Sequence, residues 1–206
     1  MTVLPERRRA VAAALAALSL GLALSPRAAS AAAAFELEAL MTLLGRVRSG
    51  EATFIETRRI EILDRTLVSS GRLTFKAPDV FVRETLRPRH EKLAVDGNTL
   101  TMSLGGRSRT MQLDASPEAA VIVEAIRGTL TGNRAALERL FEVGLSGDPR
   151  QWSLELVPRD LRLRGQVASV RVSGRESTLQ EVRVLLADGD HSVMTIEPIA
   201  ASRGTT

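Results

Sequence analysis

The chain has 206 residues, no Cys, no Tyr and one Trp, and a formal net charge of +4. Zero Cys excludes disulfides and a lipidated N-terminal cysteine. The sequence pI of about 10.7 reflects Arg over Lys and not a basic face: residues 1–34 carry four Arg and one Glu, so the remainder holds only +1, too little for a nucleic-acid partner.

The first predicted element is a leader. Arg7, Arg8 and Arg9 form a basic start, 11–24 is an apolar run, and Ala29-Ser30-Ala31 supplies small residues at cleavage spacing. The run is too short to span a bilayer, which takes about 20 residues, so it reads as a secretory signal peptide and not as an uncleaved anchor. The arginines also allow a twin-arginine signal, which the residues after them fit poorly. Cleavage is expected between Ala31 and Ala34. The expected organisation is a removed leader, 1–34, and one domain, 35–206, free in the periplasm.

Residues 35–47 carry Leu37, Leu40, Met41, Leu44 and Val47 at helical spacing. Extended segments follow at 51–63, 66–75, 81–86, 90–95, 99–104 and 110–113. Ser69-Ser70-Gly71 suggests a bulge. Asp96-Gly97-Asn98 is a hairpin turn, and Gly105-Gly106 is another. Ser116-Pro117-Glu118 starts a helix with Pro at its first position, carrying Val121, Ile122, Ala125 and Ile126 until Gly128 or Gly132 breaks it. Asn133 caps a second helix with Leu137, Leu140 and Phe141. Residues 144–150 read as a loop. Strands return at 151–157, 166–173, 179–187 and 192–196, separated by turns at 158–160, 173–175 and 188–190. Short links between strands mean antiparallel neighbours. The expected class is α+β, mainly β: a curved antiparallel sheet, or partial barrel, with helices over its mouth. A sandwich is the rival.

Catalytic chemistry is not legible. His90 and His191 are the only histidines and sit near turns. There is no Gly-x-Ser-x-Gly elbow and no phosphate loop. Asp188-Gly189-Asp190 lacks the later ligands of a calcium loop and reads as a plain turn. Asp64-Arg65 and Arg83-Glu84 read as solvated charge. No catalytic residue, metal ligand or cofactor is therefore expected. The legible signal is apolar: Leu73 and Phe75; Leu100, Met102 and Leu104; Trp152, Leu154 and Leu156; Met194 and Ile196 each share a strand face. A packed barrel and an open one show this same pattern.

The run "SSGRLTFKAPDVFVRETLRPRHEKLAVDGNTL", 69–100, resembles the core of the periplasmic outer-membrane lipoprotein carriers, the LolA-like family. The matching features are Gly71, Leu73, Pro78, Phe81, Pro88 and Asp96-Gly97. The resemblance extends to a helical region at 117–141 and to "QWSLELVPRD", whose strand ends in Leu-x-Pro. It implies an unclosed antiparallel β-barrel, or half-barrel, with helices as a lid over an apolar cavity. It also implies a carrier; with no catalytic constellation legible, the chain is expected not to be an enzyme, and it is expected to act as a monomer. The implied cargo is the acyl chains of lipoproteins, received from an inner-membrane exporter and passed to an outer-membrane acceptor.

On this sequence the cavity falls to Phe54, Leu73, Phe75, Phe81, Leu93, Val95, Leu100, Met102, Leu104, Trp152, Leu154 and Met194. The lid falls to Val121, Ile122, Ile126, Leu137 and Phe141. Two departures stand out. The family's lid-holding Arg before the first Pro is Ala77 here, so the lid is expected to be held by apolar contacts or by another arginine. Thr74, Arg83 and Thr101 replace larger or aromatic side chains. A carrier of glycolipid or another acylated product, and a lipid-sensing module of the same fold, are the alternatives.

Overall fold

Alternating side chains on short, turn-separated segments give eleven strands in the computed structural model, which describes residues 35–199. The leader expected at 1–34 lies outside these residues. The strands are β1 Ser49–Ile60, β2 Arg65–Lys76, β3 Val80–Arg87, β4 Glu91–Asp96, β5 Thr99–Leu104, β6 Arg107–Gln112, β7 Phe141–Asp148, β8 Gln151–Pro158, β9 Val167–Arg175, β10 Thr178–Leu186 and β11 His191–Pro198. Four helices accompany them: α1 Leu37–Leu44, α2 Pro117–Leu130, α3 Arg134–Leu140 and α4 Leu161–Arg164.

All strands join one antiparallel sheet in the order β6-β5-β4-β3-β2-β1-β11-β10-β9-β8-β7. Each strand pairs with its chain neighbour, except that β1 pairs with β11 along Ala52↔Pro198 to Arg59↔His191. Strands β6 and β7 are the two edges and do not pair, so the sheet is an unclosed barrel and not a sandwich. Glycine allows one close strand approach. A Cβ at Gly71 would stand 1.9 Å from the Glu84 carbonyl oxygen, beside the register shift that the Ser69-Ser70-Gly71 signal suggested.

Antiparallel pairing sorts the strand ends onto two rims. The start of β1, the β2–β3 turn and the β4–β5 turn share one rim with the end of β6. The starts of β7, β9 and β11 share the other. Helix α2 leaves the first rim, and α3 delivers the chain to the second, so the helical segment crosses the concave face. Pro117 opens α2, and the Asn133 side chain accepts from the Ala136 amide at 3.0 Å to cap α3, both as the sequence indicated.

The main core lies under this crossing. Leu40, Met41 and Leu44 of α1, Val121 and Ala125 of α2 and Leu137 of α3 pack on Trp152, Leu154, Leu156, Val170, Val172 and Val182. None of the helices in the described residues is long and apolar enough to cross a membrane.

Three local expectations are corrected. Residues 144–150 are not a loop: 144–148 complete β7, pairing Gly144↔Glu155, Leu145↔Leu154 and Ser146↔Ser153. The glycines that suggested a loop serve an edge strand. At Gly147, φ is +92° and a Cβ would meet the Gln151 carbonyl oxygen at 2.0 Å. Phe141 belongs to β7 and not to the second helix, because its backbone is extended and pairs with Pro158. The turn at 158–160 leads into α4, which begins where the Asp160 side chain accepts from the Arg162 amide at 2.7 Å. Of the two candidate helix breakers, Gly132, with φ +63°, lies just past the end of α2, while Gly128 stays inside it against Leu137.

Candidate functional site

Side chains directly opposed on paired strands share a face of the sheet. Following the pairs from β6 to β8 puts all twelve residues expected to line a cavity on one face, the concave one. Leu100 opposes Val95, which opposes Phe81, which opposes Phe75. Met102 opposes Leu93. Leu104 lies two residues along β5 from Met102. Leu73 lies two residues along β2 from Phe75. Phe54 opposes Gly71 and Ile196, and Met194 joins Val182, Val172 and Leu154 in one row. Trp152 opposes Gly174.

This face has two regimes. On β8 and β9 it is filled: Trp152 and Leu154 are buried in the core under α1–α3, and the Trp152 indole Nε1 donates to the Glu176 carbonyl at 2.9 Å. Near the β4–β5 turn, Val95, Leu100 and Leu113 are covered by Ala119, Ala120 and Val123 of α2. Beyond α2 the cover stops. Leu73 and Leu93 are half-buried, and Met102, Leu104 and Leu67 are 37%, 40% and 47% exposed. This leaves an open trough with apolar side chains on its floor, at the β2–β5 end of the concave face.

The helices beside the trough are held in two ways. Val121, Leu137 and Phe141 are buried in the core, Ile122 packs against it and Ile126 is half-buried. Arg127 adds a polar tie: its Nη2 donates to the Gly97 carbonyl at 2.6 Å, and its Nη1 to Glu124. Apolar contacts and a second arginine therefore act together where the sequence posed them as alternatives.

One polar group on the floor escaped sequence reasoning. Arg83 lies two residues from Phe81 on the concave face, between Leu73 on β2 and Leu93 on β4. Its Nη2 donates to Glu56 Oε2 and, at 3.2 Å, to Ser69 Oγ. Its guanidinium carbon sits 4.9 Å from the centroid of the Phe54 ring. Strand alternation from Phe81 was the available signal; reading Arg83-Glu84 as one solvated pair obscured it, since only Glu84 faces outward.

The other sheet face mixes charged side chains with exposed Ile55, Val68 and Leu185. A groove of about 250 Å³ there is lined by Glu51, Arg72, Leu73, Thr74, Val82, Glu84, Lys92 and Ile199, and another of about 630 Å³ by Ile55, Val68, Ser69, Ser70, Arg87 and Pro88. Among the described residues no three His, Asp or Glu side chains converge to hold a metal. Asp190 is the structural residue of its turn, accepting from the Glu61 amide at 2.9 Å.

A family model described as "Outer membrane lipoprotein carrier protein LolA-like" matches residues 28–203. The chain belongs to this family. LolA-like proteins are carriers and not enzymes, a description that suits an open barrel with an apolar floor.

Three solved structures are similar. A DUF1329 family protein from Desulfovibrio piger has 12% identity, with 82% of this chain and 92% of that one covered, at TM-score 0.47. A LolA superfamily protein from Nitrosomonas europaea has 11% identity, with 80% and 92% covered, at TM-score 0.43. LprF from Mycobacterium bovis has 10% identity, with 82% and 94% covered, at TM-score 0.37. No curated protein matches the chain. In this LolA-like chain the residue before Pro78 contributes only backbone, the Ala77 amide donating to the Arg48 carbonyl at 2.8 Å. The side-chain tie to α2 comes from the helix itself, at Arg127.

Proposed function

We propose that this LolA-like protein is a periplasmic carrier that holds the acyl part of a lipoprotein or related acylated product in the trough. In this reading α2 and α3 are the lid, and Leu73, Phe75, Phe81, Leu93, Leu100, Met102 and Leu104 meet the chain. An inner-membrane exporter loads it and an outer-membrane acceptor unloads it. The mature protein is then a single domain from about residue 35, acting as a monomer.

The observation that supports this most is the uneven cover of the concave face, whose apolar rows are interrupted by Arg83 and Glu56. The β8–β9 half is filled by helices, while Met102, Leu104 and Leu67 stay in contact with water. Transfer of an acyl chain of ~16 carbons into water costs on the order of 13 kcal/mol at ~0.8 per methylene. An amphiphile that crosses an aqueous space therefore needs such a surface, and Met and Leu suit an adaptable lining.

A fluorescent fatty-acid probe tests the reading. The folded protein binds it in the low micromolar range, a lipopeptide displaces it, and Leu104→Asp weakens both. Absence of binding by protein shown to be folded would overturn the carrier reading. Mass spectrometry of lipid retained by protein purified from its native periplasm then identifies the cargo.

A further inference from the structure

We propose, building on the carrier reading, that Arg83 binds the headgroup of the cargo, and that the trough selects an anionic amphiphile carrying a phosphate or carboxylate. The inference starts from unspent donors. A guanidinium has five N–H groups. The two on Nη2 go to Glu56 and Ser69. Among the described residues, Nε is buried without a partner and Nη1 donates to nothing.

The side chain is nevertheless 29% exposed, and that of Glu56 15%. The two Nη1 hydrogens thus remain open to a ligand, and the buried Nε stays unpaired, on a cation set among apolar side chains, where a missing hydrogen bond is costly. An oxygen of a carboxylate or phosphate can accept from Nη1, which the Glu56 oxygen on Nη2 leaves free. The Phe54 ring holds the guanidinium face in place and leaves its edge for a ligand.

The surrounding row supplies the rest of an amphiphile's complement. Across the sheet it reads Arg109, Met102, Leu93, Arg83. Arg109 and its neighbour Arg107 stand on the free edge strand, exposed, and make no ion pair among the described residues. At about 4.8 Å per strand, Arg109 lies about 14 Å from Arg83. Cations therefore bracket an apolar stripe, with Glu91 as the acid in the neighbouring row. A neutral acyl chain needs no such bracket, whereas an anionic headgroup with its chain on Met102 and Leu93 uses both parts.

The test measures displacement of a neutral fluorescent acyl probe by dodecyl phosphate, dodecanoate, dodecyl maltoside and inorganic phosphate. Wild type should prefer the two anionic amphiphiles by about tenfold, the worth of one charge-assisted hydrogen bond. Arg83→Met should remove that preference and leave dodecyl maltoside unchanged. Glu56→Gln should strengthen anionic binding, because it removes the resident competitor; a purely structural ion pair would give no gain. If Arg83→Met does not fold, Glu56→Gln and Arg83→Lys carry the same readout.

Equal binding of anionic and neutral amphiphiles by wild type would overturn the inference and leave the carrier reading intact. Failure of every amphiphile would overturn both. Competition by inorganic phosphate as strong as by dodecyl phosphate would show a free-anion site and overturn the headgroup role.

Discussion

Arg127 and Gly97 are joined at the rim: the guanidinium of the helix donates to the turn carbonyl 2.6 Å away. The same side chain pairs with Glu124, while its Nε is buried without a partner. This tie fastens α2 to the rim beside the trough. It is strong enough to matter, yet it leaves one donor unsatisfied. Replacing Arg127 by Met should lower the cost of opening by about 1.5–3 kcal/mol, the net worth of a charged hydrogen bond. Hydrogen exchange of the α2 amides should speed up, while the amides of β8 and β9 keep their protection.

Adding a donor on the same rim should do the opposite. Ala77→Arg puts a guanidinium at the end of the β2 hairpin, where the carrier reading has it donate to carbonyls of α2. The expected result is slower exchange in α2 and slower release of a bound acyl probe. As a companion, Ile122→Asp places a carboxylate against the core and should destabilise the protein by about 1–3 kcal/mol. If neither variant changes exchange or release, 117–141 is not a lid.

Gly71 on β2 and Gly50 on β1 sit in different surroundings, opposite Phe54 and Phe75 respectively. Gly71→Ala drives a Cβ into the backbone of Glu84 and Thr85, which cannot rotate away. A loss of about 3 kcal/mol or more in urea unfolding is expected. At Gly50 nothing lies within 4 Å of a Cβ, and Gly50→Ala should stay within about 0.5 kcal/mol of wild type.

On the outer face, the hydrogen bond between His90 Nε2 and Glu84, 2.9 Å long, holds the Glu84 carboxyl below its ordinary value. The charges of His90, Lys92 and Arg72 assist, and burial opposes. A depressed carboxyl contributes stability above its unfolded-state pKa, and this is lost as pH falls through the folded value. An NMR titration of the Glu84 carboxyl carbon should show a low midpoint that rises in His90→Ala. Because the pair is exposed, the melting temperature should barely move.

Much of this architecture was legible in the sequence because period-two alternation names a face. Leu100, Met102 and Leu104 between two glycine-bearing turns identified both strand and register. Alternation says which residues share a side but not what covers them. Trp152 and Leu104 therefore looked equivalent, although one lies under three elements of packed helix and the other meets water. Gly144 and Gly147 hid an edge strand, since glycine signals a loop by composition and serves close backbone approach in the fold. Arg83 was hidden by its neighbour Glu84, which has the solvated role expected of both.

The seam between β1 and β11 has a consequence for how the chain is completed. Every other pairing joins neighbours in sequence, so hairpins can form as the ribosome releases them, which is the fast kind of contact. Strand β1 appears early, yet its partner for Phe54 is Ile196, on a strand made long after it. Until then β1 presents an open row of amides and carbonyls, a template for pairing with another chain. A nascent or C-terminally clipped molecule should therefore be far more prone to aggregation than the finished one. Strand β11, the last in chain order among the described residues, is the one that welds two independent meanders into a single sheet.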